Sequence, residues 1–308
     1  MVWDPVSVDE NNIRNNVSKL ESKLEKYKKN PSSLRRNYYL FFFFGLLGSF
    51  ASAFLMIFYE PYFMWGIVLS MIPFSVLASK YHSLGKDLIK LQIARENGWL
   101  YDPNNHYNRW SKYAKAFPEI YRQGNQGQYL DDRFWGKVSN NDFHCGNFTY
   151  QVRKKSGKKS HTRTYHTYYF IFPLKKRIAS RFLLYGENIF SKIGNFFTKK
   201  EINTESIEFN KIFAFSYNGR KDEHAINIVK SLSPAIQEKL IHLKKNSDLL
   251  KVLFANNSII FLFQGKMLPV MKTHLKNGLK IDEKDKTYLT EKITNLNILS
   301  QEMLRYLN

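Results

Sequence analysis

The chain has 308 residues and carries 47 Lys and Arg against 26 Asp and Glu, a net charge of +21. That length allows one soluble domain with a real core or two small ones, and the charge selects anionic partners, acidic lipid headgroups or nucleic acid. The single cysteine, Cys145, excludes an internal disulfide, speaks against a structural zinc site and fits a reducing compartment.

In chain order, the first 37 residues are polar and are expected to hold no cleaved signal peptide. Within them Ile13, Val17, Leu20, Leu24 and Tyr27 recur at alternating steps of four and three, which predicts a helix with one narrow apolar seam. That seam can dock on the chain's own cytosolic domain or on a protein partner, including a second copy. Pro31, Ser32 and Ser33 end the helix.

Two uncharged runs follow, Tyr38–Phe58 and Tyr62–Ser79, separated by Tyr59, Glu60 and Pro61. A helix of about 17–25 apolar residues matches the hydrocarbon thickness of a bilayer. Residues 38–80 are therefore predicted to be a transmembrane helical hairpin, between a cytosolic segment 1–37 and a cytosolic domain 81–308. Gly45, Gly48, Ser49 and Ser52 offer a small-residue packing seam, and Pro73 a kink. Lys19, Lys23, Lys26, Lys28, Lys29, Arg35 and Arg36 precede the first span, and Lys80, Lys86, Lys90 and Arg95 follow the second. The connecting tripeptide carries no basic residue, so the cationic flanks place both termini in the cytoplasm.

Beyond the hairpin, Leu84–Asn97 is predicted to continue as a helix ending at Gly98, with another helix through Trp110–Tyr121 broken at Pro118. FTYQVRKK and TRTYHTYYFIF flank the turn Ser156–Gly157 and predict a β-hairpin. Phe182–Tyr185 and Ile207–Tyr217 are expected to be strands, and Asp222–Lys230 and Ala235–Lys245 short helices, the second opened by Ser233–Pro234. LLKVLFA and SIIFLFQ form a strand pair about Asn256–Asn257, and Asp282–Leu307 closes the chain as a helix with apolar face Leu289, Ile293, Leu296, Leu299 and Met303. The predicted class is α+β: a two-helix transmembrane hairpin plus a cytosolic domain of mainly antiparallel strands with flanking helices.

This order resembles the uncharacterised bacterial two-span membrane proteins of domain-of-unknown-function family 3137. The residues that carry the likeness are IARENGWLY, YYFIFPL, Phe209, Phe213, the helix around Ala225, Leu232–Ser233–Pro234, and Asn257 with the apolar strand after it. The resemblance implies architecture and a bacterial inner-membrane setting. It brings no activity and no functional residues.

No catalytic constellation, cofactor fingerprint or metal-ligand set stands out. His144 and Cys145 are adjacent, so on a strand they point to opposite faces and form no thiolate–imidazole pair. His161 and His166, five apart, also fall on opposite faces, and no carboxylate completes a metal site. Asp131–Asp132, beside Arg133, reads as a solvated turn. GxGxxG, phosphate-loop and serine-elbow motifs are absent. The candidate contact for anionic lipid or nucleic acid is the basic hairpin: Arg153, Lys154, Lys155, Lys158, Lys159 and Arg163, beside Tyr165, Tyr168 and Tyr169. Tethering close to a membrane favours lipid. Part of the charge also follows from a Lys-, Asn-, Ile-, Phe- and Tyr-rich composition of the kind an AT-rich genome imposes. Ile189–Lys200 offers an amphipathic helix for the core or the headgroup layer. The expected function is a membrane-anchored binding or interaction domain. The alternatives are a sensor taking a nucleotide or other anionic ligand at Arg153, Arg163 or Arg181, and a membrane enzyme with a dispersed site.

Overall fold

The computed structural model describes residues 10–29, 86–87, 89–102, 107–156, 159–174, 181–186, 204–217, 232–255, 257–268 and 283–307, with scattered positions between 36 and 51 and between 226 and 230. The chain divides into two compact units, Gly98–Pro269 with Lys286–Asn308, and Glu10–Asn97 with Val270–Asp285.

The first unit is built on one eight-stranded sheet. Its strands are β1 (Leu100–Asp102), β2 (Gln126–Val138), β3 (Asn141–Ser156), β4 (Lys159–Pro173), β5 (Phe182–Gly186), β6 (Phe213–Tyr217), β7 (Leu249–Ala255) and β8 (Ser258–Gln264). Their spatial order is β1-β2-β3-β4-β8-β7-β5-β6, and every pairing is antiparallel. An α+β domain of antiparallel strands with flanking helices is thus what the chain forms.

Alternation along the strands sends side chains to two apolar faces. One face holds Leu130, Phe148, Tyr169, Ile171, Leu183, Leu253, Ile260 and Leu262, covered by Tyr113, Ala114, Phe117, Ile120 and Tyr121 of helices α2 (Tyr107–Ala116) and α3 (Pro118–Tyr121). The α1 label belongs to Glu10–Lys29 in the second unit. On the opposite face Tyr168 stacks on Phe263 at 5.0 Å, and Lys292 of the last helix lies over both rings. That helix, Glu283–Leu307, buries the apolar face expected of it, Leu289, Ile293, Leu296, Leu299 and Met303.

Several expectations are corrected. Ile207–Tyr217 is not one strand: it opens as helix α4 (Ile207–Ile212) before β6. The Ser206 hydroxyl accepts from the Phe209 amide and starts that helix, a local cap that overrides the β-branched and aromatic run. Strands β1 and β2, and the first half of β3, lie where no strand was expected. Ser139 and Asn140, at φ 48° and 62°, make the tight turn that joins β2 to β3. Helix α5 (Pro234–Asn246) begins at its expected cap, Ser233, whose hydroxyl accepts from Ile236.

The second unit contains α1 and helical residues 89–96, which bury Ile13 and Leu20 on one side and Ile89, Leu91, Ile93 and Ala94 on the other. Arg95 Nη2 meets Glu21 Oε1 at 2.5 Å and joins the two helices. The run Tyr62–Ser79 lies outside the described residues, as do most of Tyr38–Phe58, Ile189–Lys200 and most of Asp222–Lys230. Within 38–58 the described positions are all helical and expose Tyr39, Leu40, Phe43, Phe44, Leu46, Leu47 and Phe50, the last at 70%. No helix among the described residues is long and apolar enough to cross a membrane.

Candidate functional site

Strands β3 and β4 are longer than their neighbours, and this builds the site. Pairing with β2 ends at Gln151, where Asn125 takes over: its side-chain amide donates to the Arg153 carbonyl at 3.0 Å and accepts from the Arg153 amide at 2.9 Å. On the other edge β8 stops opposite Thr167, and Gly265 N–H closes the pairing on the His166 carbonyl at 2.8 Å. Past these clamps β3 and β4 pair only with each other, through Val152↔Arg163, Arg153↔Thr162, Lys154↔His161, Lys155↔Ser160 and Ser156↔Lys159. A two-stranded ribbon therefore leaves the sheet, rooted on Tyr150 stacked against Tyr165 at 5.3 Å.

Five of the six expected cations are described and all sit on this ribbon; Lys158 lies outside the described residues. Cross-strand partners share a face, so Lys154, Lys159 and Arg163 project on one side and Arg153 and Lys155 on the other. All five are exposed. No Asp or Glu occurs between Phe143 and Leu184, so the ribbon has no acidic residue of its own. Arg153 donates to Ser160 Oγ at 3.3 Å, a long bond to a neutral acceptor that leaves its charge uncompensated.

The expected aromatic neighbours are not available there. Tyr168 is 5% exposed, packed on Phe263 with its hydroxyl against Lys292 Nζ at 2.6 Å, and Tyr169 is wholly buried. Tyr165 alone remains partly exposed, and its ring is taken by Tyr150. The three arginines considered for a nucleotide pocket do not converge either. Arg153 and Arg163 point from opposite faces of the ribbon, and Arg181 is held by Glu119 at 2.5 Å and 2.8 Å and by the Ala116 carbonyl at 3.0 Å.

A second polar cluster lies inside the domain, and the sequence reading missed it. Asp131–Asp132 is not a solvated turn: Asp132 and Arg133 form a bulge of β2, two residues opposite Gly146 of β3 between the pairs Asp131↔Asn147 and Phe134↔Cys145. Asp132 takes φ 49° and accepts from Tyr101 Oη at 3.0 Å and Asn147 Nδ2 at 2.9 Å. The bulge turns Arg133 inward, fully buried, with Nη2 on Asp102 Oδ2 at 2.5 Å and its guanidinium 4.9 Å from the Trp135 ring centroid. Gly146 is what makes room: a Cβ there would lie 2.9 Å from Arg133 Cγ and 3.0 Å from Tyr169 Oη.

His144 completes the cluster, stacked on Trp135 at 4.8 Å with the Tyr113 and Tyr169 hydroxyls each 3.2 Å from its ring nitrogens. Burial, and then the Arg133 charge, push its pKa well below the usual histidine value, so the ring is neutral. Cys145 points to the opposite face, beside Phe134 and Phe170, and burial pushes its thiol well up. His166 bonds Thr149 Oγ1 through Nδ1 at 3.0 Å, while His161 is exposed opposite Lys154. Among the described residues no group of His, Cys, Asp and Glu is arranged to hold a metal ion.

The same face holds Lys251, 3% exposed, whose ammonium donates to the Glu119 carbonyl at 3.0 Å. Burial lowers its pKa to about 8, against the opposing pull of the Glu119 carboxylate. With Arg181 on the Ala116 carbonyl, it places positive charge on carbonyl groups at the ends of α2 and α3.

No family model matches the chain, and no curated protein matches it. Among solved structures, the mycobacterial trehalose monomycolate transport factor A, TtfA, is similar at 7% identity and a TM-score of 0.39, over 71% of this chain and 94% of that one. A likeness at that level carries no argument about fold or function.

Proposed function

We propose that the chain is a bacterial inner-membrane protein in which residues 38–79 cross the bilayer twice and hold a basic α+β binding domain at the cytoplasmic face. The observation that carries this reading is the pairing of the flanks. Glu21 lies 17 residues before Tyr38 and Arg95 lies 16 after Ser79, and the two form an ion pair. Matched distances are what two antiparallel spans joined by a three-residue turn produce, because both flanks then leave the membrane side by side. The exposed phenylalanines and leucines among the described positions of 39–50 support it too, since so much exposed apolar surface is costly in water and comfortable in lipid. The bacterial inner-membrane setting also follows the family resemblance, which stands on the order of elements alone.

The domain acts as a binding module. Five exposed cations, Arg153, Lys154, Lys155, Lys159 and Arg163, crowd one projecting ribbon that has no acidic residue of its own. The working surface is therefore the ribbon, and the partner is anionic. Washing membranes from producing cells with alkaline carbonate tests the anchor. The chain is expected to stay in the membrane pellet, and its release into the supernatant would overturn the reading.

A further inference from the structure

We infer that the β3–β4 ribbon dips end-on into the anionic headgroup layer of a lipid bilayer; that a bilayer is at hand rests on the anchoring reading above. Three observations select a lipid surface over a nucleic-acid strand.

The first is where the charge sits. Cations leave both faces of the last rungs, Lys154 and Lys159 on one side and Arg153 and Lys155 on the other. A ribbon lying flat in a groove uses one face and leaves the other to solvent. A tip entering a layer of phosphates is surrounded, and both faces make contact. The second is the lack of stacking surface: Tyr168 and Tyr169 are buried and Tyr150 covers Tyr165. Sequence-tolerant binding of single strands draws much of its affinity from aromatic stacking, so the ribbon offers phosphate contacts alone. The third is reach. Four residue steps separate the rung Val152↔Arg163 from Ser156↔Lys159, a length of about 13 Å at roughly 3.3 Å per residue. The headgroup layer of one leaflet is roughly 5–8 Å deep, so the tip can traverse it without carrying the sheet along. Apart from the Arg153–Ser160 bond, the ribbon cations have no described side-chain partner, so nothing must be broken for them to meet phosphate.

The test uses the full chain in proteoliposomes. Cys145 is buried, so Ser156→Cys accepts an environment-sensitive fluorophore selectively. In vesicles of phosphatidylcholine with phosphatidylglycerol, the label is expected to be quenched by a headgroup-attached nitroxide and released by high salt. In vesicles of phosphatidylcholine alone it is expected to stay unquenched. Lys154→Gln and Lys159→Gln are each expected to weaken the contact about fivefold, read as the shift in phosphatidylglycerol content at half-quench. Equal signals in the two vesicle types would overturn the inference. So would a label that answers single-stranded DNA but not phosphatidylglycerol, which would assign the tip to nucleic acid. A further overturning result is aggregation of the neutralised ribbon with unchanged quenching, which would make the lysines guards of an open strand edge. Alkaline extraction of the same vesicles separates the two readings: retention with a silent label sinks the ribbon inference alone, whereas release sinks the anchor.

Discussion

Arg133 and Arg163 lie on strands of the same sheet, and the domain treats their identical charges in opposite ways. Arg133 is fully buried, paired with Asp102 and laid against Trp135. Arg163 is exposed on a ribbon with no carboxylate of its own. A buried guanidinium is tolerated only where a counter-charge is fixed beside it, so Arg133 is a structural commitment: it ties edge strand β1 to the bulge of β2. An exposed cation costs the fold little and can be spent on a partner. Position in the sheet, more than residue type, separates the arginine that builds the domain from those available for contact.

The largest test of this contrast removes the counter-charge. Asp102→Asn leaves Arg133 buried and uncompensated, and is expected to destabilise the domain by about 3–5 kcal/mol in chemical denaturation of the detergent-solubilised chain. Replacing Arg133 and Asp102 together with Leu should recover much of that loss. If the single variant is as stable as wild type, Arg133 is not held as described.

Lys251 sharpens the same point through pH. Its folded pKa, about 8, lies below the unfolded value near 10.5. Between those values the unfolded chain binds more protons, so stability rises with pH across this window, and the penalty of a buried charge is fully present below it. At about 1.36 kcal/mol per unit, the rise is about 3 kcal/mol. The difference between wild type and Lys251→Met, followed as Tm from pH 8 to 10.5, should carry that slope; a flat difference would contradict it. Gly146→Ala is expected to cost about 1–3 kcal/mol, because its methyl meets both Arg133 Cγ and Tyr169 Oη. At the small end, Lys154→Gln, Lys155→Gln and Lys159→Gln combined should leave the Tm unchanged, since their side chains meet no described partner. A clear loss of stability there would give the ribbon a structural role.

Much of the sheet was legible in the sequence because its central strands are nearly continuous apolar or aromatic runs. Leu249–Ala255, Ser258–Gln264 and the inner half of the β3–β4 hairpin announce themselves in that way. Strand β2 did not. Its run QGQYLDDRFWGKV breaks alternation at the bulge, so Asp131, Asp132 and Arg133 look like a polar turn when Arg133 is in fact core. The two positive-φ residues Ser139 and Asn140 are a turn without glycine, and so without the usual hairpin signal. At Ile207 a single serine cap decided helix over strand. The ribbon's cations could be read from their spacing. The burial of Tyr168 could not, because it depends on Phe263 and Lys292, about 95 and 124 residues further along the chain, nor could that of Tyr169, which packs on the opposite face against Tyr113, Tyr121 and His144.

Compartment-specific labelling tests the anchor most directly. In intact spheroplasts, Glu60→Cys should react with a membrane-impermeant maleimide added outside, while Ser22→Cys on α1 should react only after permeabilisation. Labelling of Ser22→Cys from outside, or protection of Glu60→Cys until lysis, would contradict a double crossing with both flanks in the cytoplasm.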